Sequence, residues 1–316
     1  MKAIILAGGF ATRLWPLTEK KAKPLLFLKD KTIISHIVEN IPDEIEIIIS
    51  TNAVFKKDFL DWAKLHSNKK IEIFVEDSIT DDFKKGALGA TALVIQEKNI
   101  DDDLMLIAGD NYFGFKMQDF ISAYKGNSII ATYDIEDLNE AKKFGVIISK
   151  DNKIIEFQEK PENPKSTLVG TGCYIFPKKH LKDIVHYAKE NNDDLGGIFE
   201  YLLKKHEEIN TFIFKENWFD IGSFSGYLNA NKILLNNQII KEDDDMEKAE
   251  NNDFINGVYI AKSCKIKNST IENSIILKNC EIDNCVIRNS IVDEGSKLKG
   301  IDLNYQMIRA GSEICK

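Results

Sequence analysis

The chain has 316 residues, of which 43% are hydrophobic and 29% charged, so it suits one large globular domain and a small one. Its 42 basic and 50 acidic residues give a formal net charge of −8, and no basic patch of useful size is visible. Because such a surface repels nucleic-acid phosphates, we expect no nucleic-acid partner.

Alternating strand and helix patterns fill the first part of the chain. Short apolar runs, typical of strands buried on both faces, occupy residues 3–7, 45–50, 71–75 and 104–108. Helical patterns separate these runs at residues 33–41, 54–66 and 87–97. This order predicts βαβ units, and therefore a parallel sheet that is covered by helices.

A mixed pattern follows between residues 128 and 214. Strand-like stretches at 129–133, 146–148, 154–157 and 172–176 precede helical patterns at 180–189 and 196–205. We interpret this region as the substrate-binding half of one α/β domain, residues 1–235, with a Rossmann-like mixed sheet flanked by helices. Residues 236–254 are predicted to be a solvated linker, because they carry the acidic run Glu242, Asp243, Asp244, Asp245 and Glu247.

A short repeat occupies the C-terminal part of the chain. Asn followed by Ser or Cys recurs in steps of 5, 6, 5 and 5 residues, at Asn268, Asn273, Asn279, Asn284 and Asn289. Asn tolerates left-handed backbone angles, and Ser or Cys fits a tight turn. The pattern predicts a short left-handed parallel β-helix over residues 255–316, with about three coils. An antiparallel meander is the weaker alternative, because it would alternate every two residues over longer strands.

Cysteine and histidine form no metal or disulfide pattern. The five cysteines are an odd number without a C-x-x-C pair, and the five histidines lack metal-ligand spacing. The first apolar run has no basic leader and is too short for a signal peptide or a membrane span. We therefore expect a cytoplasmic protein without a membrane partner.

The most informative segment follows the first predicted strand. It reads Leu6-Ala7-Gly8-Gly9-Phe10-Ala11-Thr12-Arg13-Leu14-Trp15-Pro16-Leu17-Thr18 and closes with Lys23-Pro24-Leu25. A glycine turn lets backbone N–H groups approach a base or a phosphate without an intervening side chain. Arg13 and Lys23 add positive charge for a polyphosphate. By spacing alone, a plain strand–helix connection explains the segment about as well.

This segment resembles the signature of the sugar-1-phosphate nucleotidyltransferases, G-G-x-G-T-R-L-x-P-L-T-x-x-x-P-K-P-L. The resemblance implies the nucleotide-diphospho-sugar transferase fold. It also implies nucleotide binding by Leu6, Ala7, Gly8, Gly9, Thr12 and Arg13. Two positions depart from the family, since Ala11 replaces Gly and Ala22 replaces Pro. If position 11 requires a positive φ, Ala costs about 1 kcal/mol there.

The resemblance assigns two metal ligands as well. Asp110, in Ala108-Gly109-Asp110-Asn111, resembles the family's first Mg²⁺ ligand, and Asp220, in Trp218-Phe219-Asp220-Ile221-Gly222, resembles the second. Mg²⁺ takes oxygen ligands and keeps several waters, so two carboxylates are enough. Read separately, each Asp is explained equally well as a turn or helix-cap residue.

The sugar phosphate has its own expected residues. Glu159-Lys160-Pro161 matches the family's E-K-P, which implies that Glu159 binds sugar hydroxyls and Lys160 the sugar phosphate. Gly145 and Thr171 are the other expected contacts. In the implied reaction the sugar 1-phosphate attacks the α-phosphorus of a nucleoside triphosphate and pyrophosphate leaves, with Arg13, Lys23 and Lys160 as catalytic residues.

Two features of the sequence indicate different substrates. The run from Glu159 to Gly170-Thr171-Gly172-Cys173-Tyr174 resembles glucose-1-phosphate thymidylyltransferases. Glu76 stands where those proteins usually carry a Gln that faces the base, and a carboxylate suits the donors of guanine better. Gly89 lies in Leu88-Gly89-Ala90-Thr91, which partly matches the L-G-T-A segment of mannose-1-phosphate guanylyltransferases, and we expect Glu76 and Gly89 to bind the nucleotide. We expect glucose 1-phosphate with dTTP, and the alternatives are mannose 1-phosphate with GTP or a UTP-dependent enzyme.

Two other classes of function have less support from the sequence. An acetyltransferase carried by a longer β-helix commonly uses a histidine base, and no histidine follows His206. A non-catalytic relative, such as an exchange-factor subunit, should have lost phosphate-binding or metal-binding residues, which are all present here. We expect a homo-oligomeric enzyme that binds the two small substrates and Mg²⁺.

Overall fold

The computed structural model describes residues 1–76, 85–243 and 251–316. Contacts divide the chain into two units. The first unit comprises Met1–Phe10, Ala22–Leu25 and Ile33–Asp220, and the second comprises Ala11–Lys21, Leu26–Thr32 and Ile221–Lys316. This division differs from the predicted boundary at residue 235, and it shares the signature segment between both units.

The strands up to Asp220 fall into one large sheet and two small ones. In chain order they are β1 (Lys2–Leu6), β2 (Phe27–Leu28), β3 (Lys31–Thr32), β4 (Glu46–Asn52), β5 (Ile71–Glu76), β6 (Leu104–Ala108), β7 (Asn111–Phe113), β8 (Ser128–Asp134), β9 (Gly145–Lys150), β10 (Lys153–Glu159), β11 (Leu168–Phe176), β12 (Ile209–Phe214) and β13 (Trp218–Asp220).

Helices lie between these strands and after the last of them. The α-helices are α1 (Ile33–Asn40), α2 (Lys56–Lys64), α3 (Ala87–Glu97), α4 (Met117–Ala123), α5 (Leu138–Ala141), α6 (Leu181–Tyr187), α7 (Gly197–Lys204) and α8 (Phe224–Leu235). Short 3-10 helices occupy Thr12–Leu14, Lys23–Leu25 and Lys178–His180. The helices predicted at 33–41, 54–66 and 87–97 therefore correspond to α1, α2 and α3.

A mixed nine-stranded sheet runs through the first unit in the order β5-β4-β1-β6-β11-β8-β12-β10-β9. Strands β5, β4, β1 and β6 are mutually parallel. Strand β11 is antiparallel to its neighbours β6 and β8, whereas β12 is parallel to β8. The predicted Rossmann-like mixed sheet is confirmed.

Helices cover both faces of this sheet. Ala3 and Ile5 of β1 pack in one apolar cluster with α1, α2 and α4, whereas Ile4 packs with α3, α6 and α7 in another. Successive side chains of a strand point to opposite faces, so β1 must be apolar along its length. This confirms the prediction of a strand buried on both faces.

The second unit contains a parallel β-helix. Its strands are β14 (Ile239–Lys241), β15 (Asp253–Ile255), β16 (Val258–Ile260), β17 (Lys265–Lys267), β18 (Thr270–Glu272), β19 (Ile275–Ile276), β20 (Glu281–Asp283), β21 (Val286–Arg288), β22 (Ile291–Val292), β23 (Lys297–Lys299), β24 (Asp302–Asn304), β25 (Met307–Ile308) and β26 (Glu313–Cys315). They form three parallel sheets, β14-β16-β19-β22-β25, β15-β18-β21-β24 and β17-β20-β23-β26. Tyr259 pairs with Ile275, Ile275 with Ile291 and Ile291 with Met307, so one coil takes 16 residues.

This architecture agrees with the predicted left-handed β-helix and extends it. The expected number of about three coils is too low, because each face carries four or five strands. Strand β14 lies inside the segment predicted to be a linker, and it pairs with β16 in the first coil. Asp244, Asp245 and Glu247 of that segment lie outside the described residues.

Asn occupies the corners of the β-helix, as predicted. Asn268, Asn273, Asn279, Asn284 and Asn289 have φ values between 44° and 60°, in the left-handed region that Asn tolerates. A buried Ser or Cys follows each of them. Along residues 1–76, 85–243 and 251–316, no helix is long and apolar enough to cross a membrane.

Candidate active site

The carboxyl ends of three parallel strands build the first cavity. Leu6 of β1 pairs with Ser50 of β4 on one side and with Ala108 of β6 on the other, so these strands end at the same edge of the sheet. Open parallel sheets bind their ligands at this edge. A cavity of about 230 Å³ lies there, with walls formed by Leu6, Ala7, Gly8, Gly9, Lys23, Glu76 and Asp110, among others.

A side chain at Gly8 would displace the carboxyl group of Glu76. A Cβ added at this position would lie 2.9 Å from Oε1 of Glu76, which is itself buried. The glycine therefore lets the backbone after β1 pass close to the end of β5. This close approach brings the predicted nucleotide-binding turn and Glu76 into one cavity wall.

Glu76 is a buried carboxyl group, with 4% of its surface exposed. Ser50 donates a hydrogen bond from Oγ to Oε1 of Glu76 over 2.8 Å. Burial raises the pKa of Glu76, and the Ser50 hydrogen bond opposes that rise. A carboxyl group with a raised pKa is protonated over a wider pH range, and it then presents one donor and one acceptor.

Asp110 and Lys23 form an ion pair in this cavity. The Lys23 Nζ lies 2.5 Å from Oδ2 of Asp110, and the Asn111 Nδ2 donates to Oδ1 of the same carboxylate over 2.8 Å. Lys23 is largely buried, with 11% of its side chain exposed. Both carboxylate oxygens are thus engaged by donors, which holds Asp110 in a defined orientation.

Two short strands bring the second predicted metal ligand close to the first. Strand β13 pairs with β7 in antiparallel fashion, with Asp220 opposite Asn111, the neighbour of Asp110. The Trp218 Nε1 donates to Oδ1 of Asn111 over 2.9 Å and fixes this pairing. Asp110 and Asp220 line one cavity.

These carboxylates fit the ligand preference of Mg²⁺. Hard cations take oxygen ligands, and Mg²⁺ is commonly held by one or two carboxylates together with waters and substrate phosphates. Within the part of the chain that the structure describes, no group of three or more His, Cys, Asp or Glu side chains could hold a metal ion. A pair of carboxylates completed by a phosphate is therefore the arrangement that the site can offer.

A second cavity, of about 290 Å³, contains the predicted sugar-phosphate residues. Its walls include Gly145, Glu159, Lys160, Thr171, Asp110 and Asp220. Cβ atoms added at Gly145 and Gly196 would lie 3.2 Å and 1.9 Å from Oε2 of Glu159, so both glycines leave space for this carboxylate. Burial raises the pKa of Glu159, and the neighbouring Lys160 opposes the rise.

Lys160 and Thr171 are held by the backbone around them. Lys160 has a φ of 43°, and its N–H donates to the Phe144 carbonyl over 3.1 Å. A non-glycine residue in this region costs about 1–3 kcal/mol, and such strain is concentrated at functional sites. The hydroxyl of Thr171, which is 1% exposed, donates to the Ala131 carbonyl over 2.8 Å.

The two cavities share part of their walls. Ala87, Asp110, Asp193 and Leu195 line both of them. Asp193 and Leu195 are not among the residues predicted from the sequence. The Asp-Asp-Leu-Gly-Gly run at 193–197 is a turn signal that marks a loop, but it does not indicate where that loop packs.

Three predicted nucleotide-binding residues lie elsewhere. Thr12 and Arg13 are exposed on the 3-10 helix Thr12–Leu14, which belongs to the second unit. Gly89 lies on α3, where Ala87 and Ala90 line the first cavity and the Gly89 N–H donates to the Asn192 carbonyl over 2.8 Å. The described contacts thus give Gly89 a packing role against Asn192.

Ala11 takes the backbone conformation that its glycine-like position suggested. Its φ is 48° and its ψ is 43°, in the left-handed region. The Ala11 carbonyl accepts hydrogen bonds from the Leu14 N–H over 3.0 Å and from the Thr18 hydroxyl over 2.7 Å. These bonds hold a conformation that an alanine adopts at a cost of about 1–2 kcal/mol.

A comparison with protein families defines the class of this protein. The family model described as nucleotidyl transferase matches residues 2–237. The chain belongs to the nucleotidyl transferase family. The matched residues contain both cavities and the whole signature segment.

The relatives of this chain are named for different functions. The bifunctional protein GlmU of Methanocaldococcus jannaschii is 33% identical over 239 residues, which cover 74% of this chain and 54% of the relative. A protein assigned as a mannose-1-phosphate guanyltransferase of Sulfolobus acidocaldarius is 28% identical, with 74% and 63% covered. The glucose-1-phosphate adenylyltransferase of Thermosipho africanus is 28% identical over 294 residues, with 85% and 70% covered. The chain thus spans between about half and two thirds of the length of the first two relatives.

A solved structure has the same fold. It is assigned as a glucose-1-phosphate thymidylyltransferase from Bacillus anthracis and was crystallised in complex with sucrose. The TM-score is 0.65 at 26% identity, with 74% of this chain and 94% of that chain covered.

Proposed function

We propose that this chain condenses a nucleoside triphosphate with a sugar 1-phosphate, giving an NDP-sugar and pyrophosphate. One observation carries the proposal. The cavity lined by the expected nucleotide-binding residues and the cavity lined by the expected sugar-phosphate residues share Asp110 as a wall. Joining two phosphates requires that the attacking oxygen and the α-phosphorus come together, and adjacent cavities with a shared wall provide this.

The chemistry requires positioning and charge stabilisation. An oxygen of the sugar 1-phosphate attacks the α-phosphorus, the bond from that phosphorus to the bridging oxygen breaks, and pyrophosphate leaves with the electron pair. No general base is needed, because the attacking oxygen is already an anion. We expect Lys23 to neutralise the α-phosphate, Arg13 the departing phosphates and Lys160 the sugar phosphate. Asp110 and Asp220 would hold Mg²⁺, which when bound neutralises phosphate charge.

Within this class we favour dTTP and glucose 1-phosphate. Glu76 lines the nucleotide cavity and is buried, with Ser50 donating to one of its oxygens. A protonated Glu76 would offer one acceptor and one donor, as a Gln amide does, and this matches the N–H donor and carbonyl acceptors of thymine. The similarity to a structure assigned as a thymidylyltransferase supports the same choice. Uracil has the same edge, so UTP is the nearest alternative.

GTP with mannose 1-phosphate is the second candidate. An ionised Glu76 accepts hydrogen bonds without donating any, and it would suit the N1–H and N2–H₂ groups of guanine. The similarity to a protein assigned as a mannose-1-phosphate guanyltransferase favours this candidate. The protonation state of Glu76 thus bears on the choice of base, and the sugar is left to the residues of the second cavity.

A substrate panel tests the proposal. Purified protein with Mg²⁺ is incubated with dTTP, UTP, GTP, CTP or ATP and a set of sugar 1-phosphates, and pyrophosphate release is followed. We expect release with dTTP and glucose 1-phosphate. Release with GTP and mannose 1-phosphate would support the second candidate, and a folded protein inactive across the panel would favour a non-catalytic binding protein.

The role of Arg13 has a direct test. We expect Arg13→Ala to lower kcat/KM by about 100-fold or more, because it removes a charge that meets the departing phosphates. The melting temperature should stay unchanged, since Arg13 is exposed. Arg288→Ala is a matched control, because Arg288 is a half-exposed arginine of the β-helix that pairs with Glu272. An Arg13→Ala protein with the turnover of the control contradicts the proposed role.

A further inference from the structure

Two ion pairs connect the signature segment to the β-helix within the second unit. The Lys21 Nζ lies 2.6 Å from Oε1 of Glu294, and the Arg309 Nη2 lies 2.5 Å from Oε2 of Glu19. We call Ala11–Lys21 the signature loop, because Arg13 lies in it. The partners of the loop are far away in sequence, so the folded β-helix is needed to bring them together.

The two β-helix residues belong to consecutive coils. Glu294 follows β22 and Arg309 follows β25, and these strands are neighbours in one parallel sheet. The two ion pairs have their charges reversed. The coil that contains Glu294 places an anion next to Lys21, and the following coil places the cation Arg309 next to Glu19. Shifting the loop by one coil would place like charges together, so the arrangement specifies one register.

Lys21 faces a second carboxyl group next to Glu294. Asp293 is 8% exposed, and burial raises its pKa while the charge of Lys21 opposes the rise. Two acidic residues therefore act on one lysine, which is 29% exposed. A partly buried pair of this kind is less screened by salt than a fully exposed one.

The residues after the signature loop have a second anchor on the same unit. The Phe27 ring stacks on Tyr259 with 5.6 Å between centroids, and the Lys278 Nζ lies 5.9 Å from the Phe27 ring. The Lys29 N–H donates to Oδ1 of Asn231 over 2.8 Å. Residues on both sides of Ala22–Leu25 are thus held by the C-terminal part of the chain.

The loop itself is closed by short-range bonds. The Thr18 hydroxyl and the Leu14 N–H both donate to the Ala11 carbonyl, and Leu14, Leu17 and Thr18 are buried. A restraint at Glu19 and Lys21 is therefore transmitted to the turn that contains Arg13. Without the ion pairs, the nucleotide would have to order this turn when it binds, which costs binding free energy.

We propose that Glu294 and Arg309 are positioning residues, through which two coils of the β-helix hold the signature loop ready for the nucleoside triphosphate. This role rests on the proposed nucleotidyl transfer. It gives the β-helix a task in the reaction that does not require a second active site. The residues act through Lys21 and Glu19, and not by touching substrate.

Steady-state kinetics test the role. The double variant Glu294→Gln/Arg309→Gln should raise the KM for the nucleoside triphosphate about threefold to tenfold, because each pair contributes modestly. The KM for the sugar 1-phosphate should stay constant. Glu313→Gln is the matched control, because Glu313 pairs with Lys297 inside the β-helix at 3.0 Å. The charge swap Lys21→Glu/Glu294→Lys should restore a low KM relative to Glu294→Lys alone.

Tryptophan fluorescence provides a readout that does not depend on activity. Trp15 lies in the signature loop and is 53% exposed, whereas Trp62 and Trp218 are 6% and 8% exposed. Acrylamide quenching of the substrate-free protein therefore reports mainly on the loop. We expect stronger quenching in the double variant than in wild type or Glu313→Gln, at equal melting temperatures.

The outcomes separate the two proposals. An active wild type whose double variant keeps its KM and its quenching overturns the positioning role alone. A wild type that is inactive on the whole substrate panel overturns the proposed function, and the positioning role with it. A raised KM that also appears in Glu313→Gln would indicate a general loss of β-helix stability and would equally overturn the role.

Discussion

At the scale of single residues, the wall of the first cavity contains a carboxyl group that is costly to bury. Glu76 is buried at the end of β5, and Gly8 is small enough to let it stay there. Burying an ionised carboxylate destabilises the folded state, and the Ser50 hydrogen bond and the charge of Lys85 offset part of this cost. The proposed role of Glu76 in base recognition therefore conflicts with the stability of the fold.

We expect Glu76→Gln to raise the melting temperature at neutral pH. Burial raises the pKa of Glu76 in the folded protein above the unfolded value of 4.5. The contribution of Glu76 to folding stability is therefore fully present below pH 4.5 and is lost as the pH rises through the pKa of the folded state. The difference in melting temperature between Glu76→Gln and wild type should therefore become smaller as the pH falls toward 4.5. Thermal unfolding between about pH 4.5 and 8 measures this.

A control on the same strand separates charge from burial. Glu72 is half-exposed and pairs with Lys98, and Glu72→Gln should change the melting temperature little. A gain in Glu76→Gln that is the same at every pH would show that ionisation of Glu76 is not its source.

The sequence allowed some residues of the site to be anticipated, but not all. Asp110, Lys23 and Glu159 stand in motifs whose order along the chain is informative, and the structure puts them into adjacent cavities. Asp193 lies in the connection between α6 and α7, and its approach to the strand ends depends on how these helices pack. No local pattern encodes that approach. At Ala11 the sequence raised a positive φ only as a condition, and the structure gives a φ of 48° there.

At the scale of elements, serine performs two tasks at the corners of the β-helix. The Ser274 hydroxyl donates to the Glu272 carbonyl over 2.6 Å and accepts from the Ser290 N–H in the next coil over 3.1 Å. One side chain thus bonds a carbonyl of its own coil, which also accepts from the Asn289 N–H over 3.0 Å, and a buried amide of the next coil. Cys285 stands at another corner and donates its thiol to the Asp283 carbonyl over 3.3 Å.

We expect Ser274→Ala to lower the free energy of unfolding by about 1–3 kcal/mol, because it leaves the buried Ser290 N–H without its acceptor and removes one of the two donors to the Glu272 carbonyl. Ser274→Cys should cost less, since a thiol keeps a weak donor and a weak acceptor at a position type where this chain already uses Cys. Urea unfolding followed by circular dichroism gives the values. Exchange of the Ser290 amide hydrogen locates the effect. An alanine variant as stable as wild type would mean that water replaces the hydroxyl.

Elements with a repeated pattern were predictable, and isolated short ones were not. The Asn-Ser and Asn-Cys spacing fixes the 16-residue coil, because each corner needs a left-handed residue followed by a small one. Strand β14 follows Asn236 and Asn237, which have left-handed backbone angles, but Gln238 stands where the corners carry Ser or Cys, so the repeat does not indicate this strand. Strands β7 and β13 have three residues each, and the pairing that aligns Asp220 with Asn111 joins distant parts of the chain.

At the scale of the whole molecule, the structural units do not follow the order of the chain. The family match ends at residue 237, yet Ala11–Lys21 and Leu26–Thr32 belong with Ile221–Lys316. A deletion after residue 237 therefore removes partners of the N-terminal signature segment.

We expect the fragment 1–237 to be cleaved by trypsin at Lys20, Lys21 and Lys29 faster than the full chain. The deletion removes Tyr259, which stacks on Phe27, and both ion-pair partners of the signature loop. Mass spectrometry of the early fragments maps the cuts. A fragment 1–311 is the control, because it loses β26 but keeps Glu294 and Arg309. Equal cleavage rates for both fragments would contradict the expectation.

The length of the β-helix has a geometric consequence. Stacked strands lie about 4.8 Å apart, so each complete coil adds this height. Inserting 16 residues before β22 would keep every aliphatic side chain inside and every Asn at a corner. It would nevertheless displace Glu294 and Arg309 by about one strand spacing from Lys21 and Glu19, which is enough to separate both ion pairs. Side chains within the coils can therefore vary more freely than the number of coils between α8 and Glu294.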